Sequence, residues 1–250
     1  MSSRQLKKGL IPETKELDNI YDNFIVEKNP PLPYIIQHFK SLEGEGGDNA
    51  VGLTTLFLRL NKCNLSCNFC DTSFSIKGDE KYNIVRADTD LTELLNEKYS
   101  EEDRKYIHSC SITGGEPLIH LEHFEDIIEE LLESFNGINH IIVETNGLYL
   151  YKKENAMKFA ELSNIYADRI KFTLSISPKL DARVSYGKAG RNGDINEKNI
   201  LDIYEVVFKN YKRYLTNVVN IQCKFVHSQA LKVSNEPLMD IIINNNYIYP

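Results

Sequence analysis

The sequence lacks a long hydrophobic run, an excess of basic residues and an even set of cysteines. No apolar stretch approaches the roughly 20 residues that a membrane-spanning helix needs. No continuous apolar stretch follows the basic residues at the N-terminus, so we expect no secretory signal and a cytoplasmic protein without a membrane partner. The formal net charge of −7 argues against direct binding to nucleic acid, which needs a basic surface.

Cysteines are few, and their placement is uneven. The chain has five, which is an odd number and is not typical of a disulfide framework. Cys63, Cys67 and Cys70 lie together within eight residues, whereas Cys110 and Cys223 stand alone in apolar runs. The cluster of three is therefore the most informative feature of the composition.

The length and composition predict one large α/β domain. The 250 residues are 42% apolar and 26% charged, which leaves enough material for a sizeable core. Residues 1–33 are polar and end in a proline-rich joint, so we predict an N-terminal extension followed by one domain over 34–250. From Tyr34 onward, short apolar runs alternate with amphipathic stretches, which predicts βαβ units and a mainly parallel sheet.

Individual elements follow from the apolar patterns. The predicted strands are Tyr34–Phe39, Thr54–Leu60, Ile107–Thr113, His140–Glu144, Lys171–Ile176, Asn220–Val226 and Tyr247–Tyr249. The predicted helices are Leu91–Tyr99, Leu121–Phe135, Lys153–Ser163 and Glu197–Tyr214.

Unusual residue clusters follow four of the predicted strands. CNLSCNFC comes after the second strand, GGEP after the third, TNG after the fourth and SPK after the fifth. The carboxyl ends of parallel strands share one edge of a sheet or barrel, where active sites lie. We therefore expect these four distant clusters to surround a single site.

The cysteine spacing, C-x3-C-x2-C, indicates a metal site. Thiolates are suited to iron–sulfur clusters and to zinc. A structural zinc site needs four ligands, and the fourth would have to come from His108, His120 or His123. Three cysteines around four iron atoms would instead leave one iron open to a cofactor or substrate.

With Phe69 before the last cysteine, this motif resembles the radical S-adenosylmethionine superfamily. The resemblance implies a partial (β/α) barrel, a [4Fe–4S] cluster on Cys63, Cys67 and Cys70, and S-adenosylmethionine as cofactor. It also implies that a radical derived from that cofactor takes hydrogen from the substrate. The residues implied to bind S-adenosylmethionine are Phe69, Asp71, Gly115, Glu116, Ser177, Pro178 and Lys179.

A narrower resemblance covers roughly residues 34–180. The order SLEGEG, FLR, the three cysteines, CDT, GGEP, ETNG and SISPK resembles the 7-carboxy-7-deazaguanine synthase family. This family is a group of carbon–nitrogen lyases in queuosine and deazapurine biosynthesis. They contract 6-carboxy-5,6,7,8-tetrahydropterin to 7-carboxy-7-deazaguanine and ammonia. The residues implied to bind this substrate are Leu42, Glu43, Gly44, Arg59 and Thr113.

The same resemblance implies Mg²⁺ at Thr72, a flavodoxin or ferredoxin as electron donor, and a homodimer. One departure is Glu43, which stands where the family has glutamine and adds a carboxylate. Two alternatives stay open at the level of sequence. One is another radical S-adenosylmethionine enzyme, such as a glycyl-radical activase, and the other is a non-catalytic zinc-binding module.

Overall fold

A computed structural model of the chain describes residues 15–25, 31–44, 50–67, 70–76, 79–180, 182–184, 197–225 and 234–247. The strands are β1 (Tyr34–Leu42), β2 (Thr54–Leu60), β3 (Leu65–Cys67), β4 (Val85–Arg86), β5 (Ser109–Gly114), β6 (His140–Thr145), β7 (Lys171–Ile176), β8 (Ala182–Val184) and β9 (Val219–Cys223). The α-helices are α1 (Lys15–Ile25), α2 (Ser73–Ile76), α3 (Leu91–Lys98), α4 (Glu101–Tyr106), α5 (Phe124–Ser134), α6 (Lys153–Ile165), α7 (Glu197–Asn210) and α8 (Glu236–Asn244). Three 3₁₀ helices (Glu80–Tyr82, Pro117–His123 and Leu148–Tyr151) and a π-helical turn (Tyr211–Leu215) complete these elements.

Seven strands form one sheet in the order β4-β1-β2-β5-β6-β7-β9. The strands from β2 to β9 in this order pair in parallel, whereas β1 is antiparallel to both of its neighbours. Within the described residues the edge strands β4 and β9 do not pair, so the sheet stays open. The predicted α/β class with a partial barrel of mainly parallel strands is confirmed.

Apolar and polar side chains alternate along the strands, which gives the sheet one apolar face and one polar face. Leu58, Ile112, Val143 and Leu174 stand side by side in neighbouring strands and are fully buried. Helices cover this apolar face. For example, the ring of Phe159 in α6 makes an edge-to-face contact with Phe172 in β7. The opposite face carries the polar row that forms the site.

Some predicted elements differ from the structure. The stretch predicted as one helix over Leu121–Phe135 begins as the 3₁₀ helix Pro117–His123, and α5 starts only at Phe124. The strand predicted over Tyr247–Tyr249 is not seen at Tyr247, which lies in a bend, and its other residues are outside the described ranges. Helices α2, α4 and α8 are absent from the sequence prediction. None of the described helices is long and apolar enough to cross a membrane.

Part of the N-terminal extension packs on the domain. Leu17 and Tyr21 of α1 belong to the same hydrophobic core as the sheet. The Tyr21 ring stacks on Tyr151, with 4.3 Å between ring centroids, and the Tyr151 hydroxyl donates to Asp18 at 3.1 Å. The domain boundary predicted at residue 33 falls between α1 and β1 and stays a prediction.

We expect Tyr21→Ala to lower the free energy of unfolding by about 3 kcal/mol, because it removes a fully buried ring and leaves a cavity. Urea denaturation of the apoprotein measures this loss. Ile165→Ala is the matched control, since that side chain is 61% exposed and its truncation should change little. Equal stabilities of the two variants would contradict the docking of α1.

Candidate active site

The functional residues surround one cavity of about 340 Å³ at the carboxyl ends of the parallel strands. The predicted site residues that line it are Arg59, Cys63, Cys67, Cys70, Asp71, Thr72, Thr113, Gly115, Ser177 and Lys179. The structure thus brings the four sequence clusters together. Thr145 and Asn146 of the predicted TNG cluster line the same cavity, as do Leu65, Glu144, Ser175 and Lys224, to which the sequence analysis assigned no role.

Cys63, Cys67 and Cys70 are outside any disulfide bond in the structure and line this cavity. In the part of the chain that the structure describes, the one trio of His, Cys or carboxylate ligand atoms within 4.8 Å of one another is Asp88, His123 and Asp126. At least one pair of the three cysteine sulfurs is therefore farther apart than 4.8 Å. Tetrahedral zinc with Zn–S bonds of about 2.3 Å requires sulfurs about 3.8 Å apart. The three thiols are therefore not arranged as a preformed tetrahedral zinc site.

None of the three histidines considered as a fourth zinc ligand is placed for that role. The ring nitrogens of His120 lie 2.9 and 2.8 Å from the carbonyl oxygens of Pro31 and Asn61. His123 Nδ1 contacts Asp88 at 2.9 Å. His108 precedes β5, whereas the cysteines follow the carboxyl end of the neighbouring parallel strand. The geometry gives the zinc alternative no support.

Burial raises the pKa of the Cys63 thiol far above its usual range, and the nearby Glu116 carboxylate acts in the same direction. The Leu65 N–H, which donates to Cys63 Sγ at 3.4 Å, opposes this shift. Cys63 is thus a thiol in the apoprotein, and any metal that bound its sulfur would have to displace the proton.

The GGEP segment lies directly against the base of the cysteine loop. The Glu116 N–H donates to the Lys62 carbonyl oxygen at 2.8 Å. A Cβ atom on Gly115 would stand 1.7 Å from that same oxygen, so only glycine permits this approach. Gly114 has a φ of +140°, and a Cβ atom there would stand 2.2 Å from the Leu60 carbonyl oxygen. The two glycines therefore allow the segments after β2 and β5 to form one wall.

Glu116, which the resemblance assigns to S-adenosylmethionine, is not among the residues that line the cavity. It is 1% exposed, and its carboxylate accepts hydrogen bonds from the backbone N–H groups of Leu118 (3.0 Å) and Asn146 (2.7 Å) and from the Thr145 hydroxyl. Desolvation raises the pKa of Glu116 to about 7, although these donors lower it. The carboxylate joins the GGEP segment to the turn after β6, and the contact of Glu116 with S-adenosylmethionine stays a prediction.

Asn146 is the centre of a buried hydrogen-bond network. Its Nδ2 donates to Asn64 Oδ1 at 2.8 Å, beside Cys63, and its backbone N–H donates to Glu116. Its carbonyl oxygen accepts from the Tyr204 hydroxyl at 2.9 Å, and that hydroxyl accepts from the Lys179 N–H at 2.8 Å. These bonds connect the cysteine loop, GGEP, TNG and SPK.

The polar face of the sheet forms the other wall. Arg59 Nε donates to Gln37 Oε1 at 3.0 Å, in the neighbouring position on β1, and Arg59 stands opposite Thr113 on β5. Glu144 accepts a hydrogen bond from Ser111 at 2.9 Å and pairs with Lys224 at 3.6 Å. This wall therefore offers a guanidinium group and a carboxylate–ammonium pair.

Leu42, Glu43 and Gly44 are not brought to the cavity. Because β1 is antiparallel to β2, Leu42 stands opposite Thr54 at the start of β2, whereas Arg59 lies near the end of that strand. Leu42 is 67% exposed and Glu43 is 3% exposed at this opposite end. The arrangement gives no support to their assignment as substrate ligands.

Pro178 and Phe69 complete the set of predicted site residues. Pro178 is buried and is not among the lining residues, and Phe69 is outside the described ranges.

Comparison with known proteins identifies the class. The model of the radical SAM superfamily matches residues 58–221, a range that contains the cysteines, GGEP, TNG and SPK. The chain therefore belongs to the radical SAM superfamily, whose members use a [4Fe–4S] cluster and S-adenosylmethionine.

Within that superfamily, the chain belongs to the 7-carboxy-7-deazaguanine synthase family. The 7-carboxy-7-deazaguanine synthase of Methanothermobacter thermautotrophicus is 31% identical over 185 residues, which cover 74% of this chain and 68% of the relative. The enzyme of that name from Clostridium acetobutylicum is 25% identical over 218 residues, or 84% of this chain and 88% of the relative. Among solved structures, QueE from Escherichia coli matches with 18% identity and a TM-score of 0.45 over 86% of this chain and 91% of that chain.

Proposed function

We propose that the chain contracts 6-carboxy-5,6,7,8-tetrahydropterin to 7-carboxy-7-deazaguanine and ammonia, a step towards queuosine and other deazapurines. The observation that carries this proposal is that Arg59 and Thr113 share one cavity with the three cysteines. A carboxylate substrate can therefore lie between a guanidinium group and the cluster position.

The residues at the end of the cavity that holds the three cysteines suit a [4Fe–4S] cluster. Cys63, Cys67 and Cys70 supply three soft ligands, and Asn64 beside them has a fully buried Nδ2 without a hydrogen-bond partner among the described residues. When bound, the cluster and S-adenosylmethionine supply the radical that takes hydrogen from C6 of the pterin. Ser177 and Lys179 line the cavity close to these thiols and are positioned to hold the cofactor's polar groups.

The residues at the other end fit the substrate. The planar guanidinium of Arg59 suits a bidentate bond to the pterin carboxylate, and Gln37 fixes its orientation through Nε. Glu144 offers carboxylate oxygens to ring N–H groups, while Lys224 and Ser111 hold it in place. Orientation of the ring against the cofactor is the main contribution of these side chains.

The proposal also includes Mg²⁺ near Thr72. Thr72 lines the cavity next to Asp71, and its Oγ1 lies 3.7 Å from Cys70 Sγ. A magnesium ion that keeps most of its waters needs only one or two such protein oxygens. A flavodoxin or ferredoxin donor, a homodimer and a cytoplasmic location belong to the same proposal, and free thiols suit a reducing compartment.

We expect Arg59→Lys to raise the KM for the carboxypterin at least about tenfold, with a smaller effect on kcat, because an ammonium cannot form the bidentate bond. Steady-state kinetics under anaerobic conditions measure both constants. Arg104→Lys, on α4 where the guanidinium bonds to Asn96, is the matched control. An unchanged KM in Arg59→Lys would remove Arg59 from the substrate site.

Anaerobic reconstitution with iron and sulfide, followed by mass spectrometry of the products, tests the proposed function. We expect a brown protein that makes 7-carboxy-7-deazaguanine from the carboxypterin and nothing from tetrahydropterin without the carboxylate. Cleavage of S-adenosylmethionine with the carboxypterin left intact would favour a different radical SAM enzyme. A colourless protein with one zinc ion would favour the non-catalytic module.

A further inference from the structure

Tyr204 of α7 contacts the backbone of two residues that line the cavity, Asn146 and Lys179. The side chain is fully buried, and its hydroxyl donates to the Asn146 carbonyl oxygen at 2.9 Å while accepting from the Lys179 N–H at 2.8 Å. Asn146 belongs to the turn after β6, and Lys179 belongs to the segment after β7. One hydroxyl thus bridges two neighbouring turns, and both turns line the cavity.

The two turns are also joined closer to the sheet. The Ser177 N–H donates to the Thr145 carbonyl oxygen at 2.8 Å, which continues the pairing of β6 with β7. Beyond this point the strands have ended, and the Tyr204 hydroxyl provides the next connection. Lys179 Nζ then turns back to Ser177 Oγ at 2.7 Å. The position of the Lys179 backbone therefore depends on a residue of a distant helix.

We propose that Tyr204 is a positioning residue for S-adenosylmethionine, because its hydroxyl sets the separation of the turns after β6 and β7. The inference rests on the proposed function in one respect: the cofactor is taken to bind along Ser177 and Lys179. Tyr204 touches neither cofactor nor substrate in this role, and it acts through the Lys179 and Asn146 backbone.

Tyr204→Phe isolates the hydroxyl, because the ring and its packing remain. The variant leaves the part-buried Lys179 N–H and the buried Asn146 carbonyl oxygen without this partner, which the chain can relieve by moving the two turns apart. We expect the affinity for S-adenosylmethionine, expressed per loaded cluster, to fall about tenfold. The KM for the carboxypterin should stay unchanged, since the Arg59 wall is formed by other strands.

Tyr211→Phe is the matched control. Tyr211 lies further along the same helical stretch, is buried, and donates its hydroxyl to the Val219 carbonyl oxygen at 3.0 Å, away from the cavity lining. We expect it to lose stability to a similar extent as Tyr204→Phe without any change in cofactor affinity. The pair therefore separates a positioning role from a general loss of stability.

Two measurements on the full chain decide the matter. Equilibrium binding of radiolabelled S-adenosylmethionine to the reconstituted proteins should show the tenfold loss in Tyr204→Phe alone. Hydrogen exchange of the apoprotein should show faster exchange of the Lys179 amide in that variant and not in Tyr211→Phe. Equal affinities, or equal exchange of the Lys179 amide, would overturn the inference. A wild-type protein that loads its cluster but binds no S-adenosylmethionine would instead overturn the proposed function.

Discussion

Cys63→Ala is expected to lose the iron–sulfur cluster and, with it, all measurable conversion of the carboxypterin. The three thiols that face the cavity are the ligands of the proposed cluster, and removal of one leaves two. The loss of activity should exceed about 1,000-fold, because without the cluster the chain has no route to the radical. Iron and sulfide per chain, together with the visible absorbance, measure the loss before any activity assay.

Cys110→Ala is the matched control for this prediction. Cys110 is fully buried, belongs to the apolar face of β5 and lies outside the cavity lining. Its truncation removes only packing and should cost about 1–2 kcal/mol of stability with the cluster retained. Retention of the cluster by Cys63→Ala, or its loss from Cys110→Ala, would contradict the assignment of ligands.

Gly115→Ala should have the second largest effect. Its Cβ would stand 1.7 Å from the Lys62 carbonyl oxygen, far inside van der Waals contact, and the atom it meets is backbone. The GGEP segment and the base of the cysteine loop must therefore separate by more than an ångström. Displacements of that size at a reacting centre cost about 100-fold in rate. We expect poor cluster loading and a fall in kcat/KM of at least about 100-fold.

Gly137→Ala provides the comparison for this effect. A Cβ there would meet its nearest neighbour, the Ile107 carbonyl oxygen, at an ordinary 3.7 Å, in the turn before β6 and away from the cavity. Cluster content and kcat/KM of this variant should match those of the wild type. A Gly115→Ala enzyme of normal activity would show that the wall between β2 and β5 is not as close as described.

The features that could be predicted from the sequence are those fixed by local spacing or by strand direction. The cysteine motif is local, and GGEP, TNG and SPK each follow a recognisable parallel strand. Their convergence on one cavity follows from the parallel sheet. Arg59 could be found because a charged residue inside an apolar strand needs a partner, and the structure gives it Gln37.

Other placements depend on contacts that the sequence does not reveal. The run over Tyr34–Phe39 predicts a strand but not its direction, and the antiparallel pairing of β1 takes Leu42 and Glu43 to the far end of the sheet. Glu116 belongs to a motif that the family resemblance assigns to the cofactor site, yet its carboxylate bonds to buried donors of the protein. Tyr204 occupies an ordinary apolar position of a helix, so only its hydroxyl contacts distinguish it.

The most direct test of the account is the ratio of product formed to S-adenosylmethionine consumed by the reconstituted chain. The assay contains the carboxypterin, a strong reductant and Mg²⁺ under anaerobic conditions, and chromatography quantifies both compounds. Because loss of ammonia from the carboxypterin involves no net oxidation, the hydrogen atom taken from C6 can return to the cofactor, and we predict several molecules of 7-carboxy-7-deazaguanine for each S-adenosylmethionine lost. Consumption of the cofactor to 5′-deoxyadenosine without any 7-carboxy-7-deazaguanine would contradict the account.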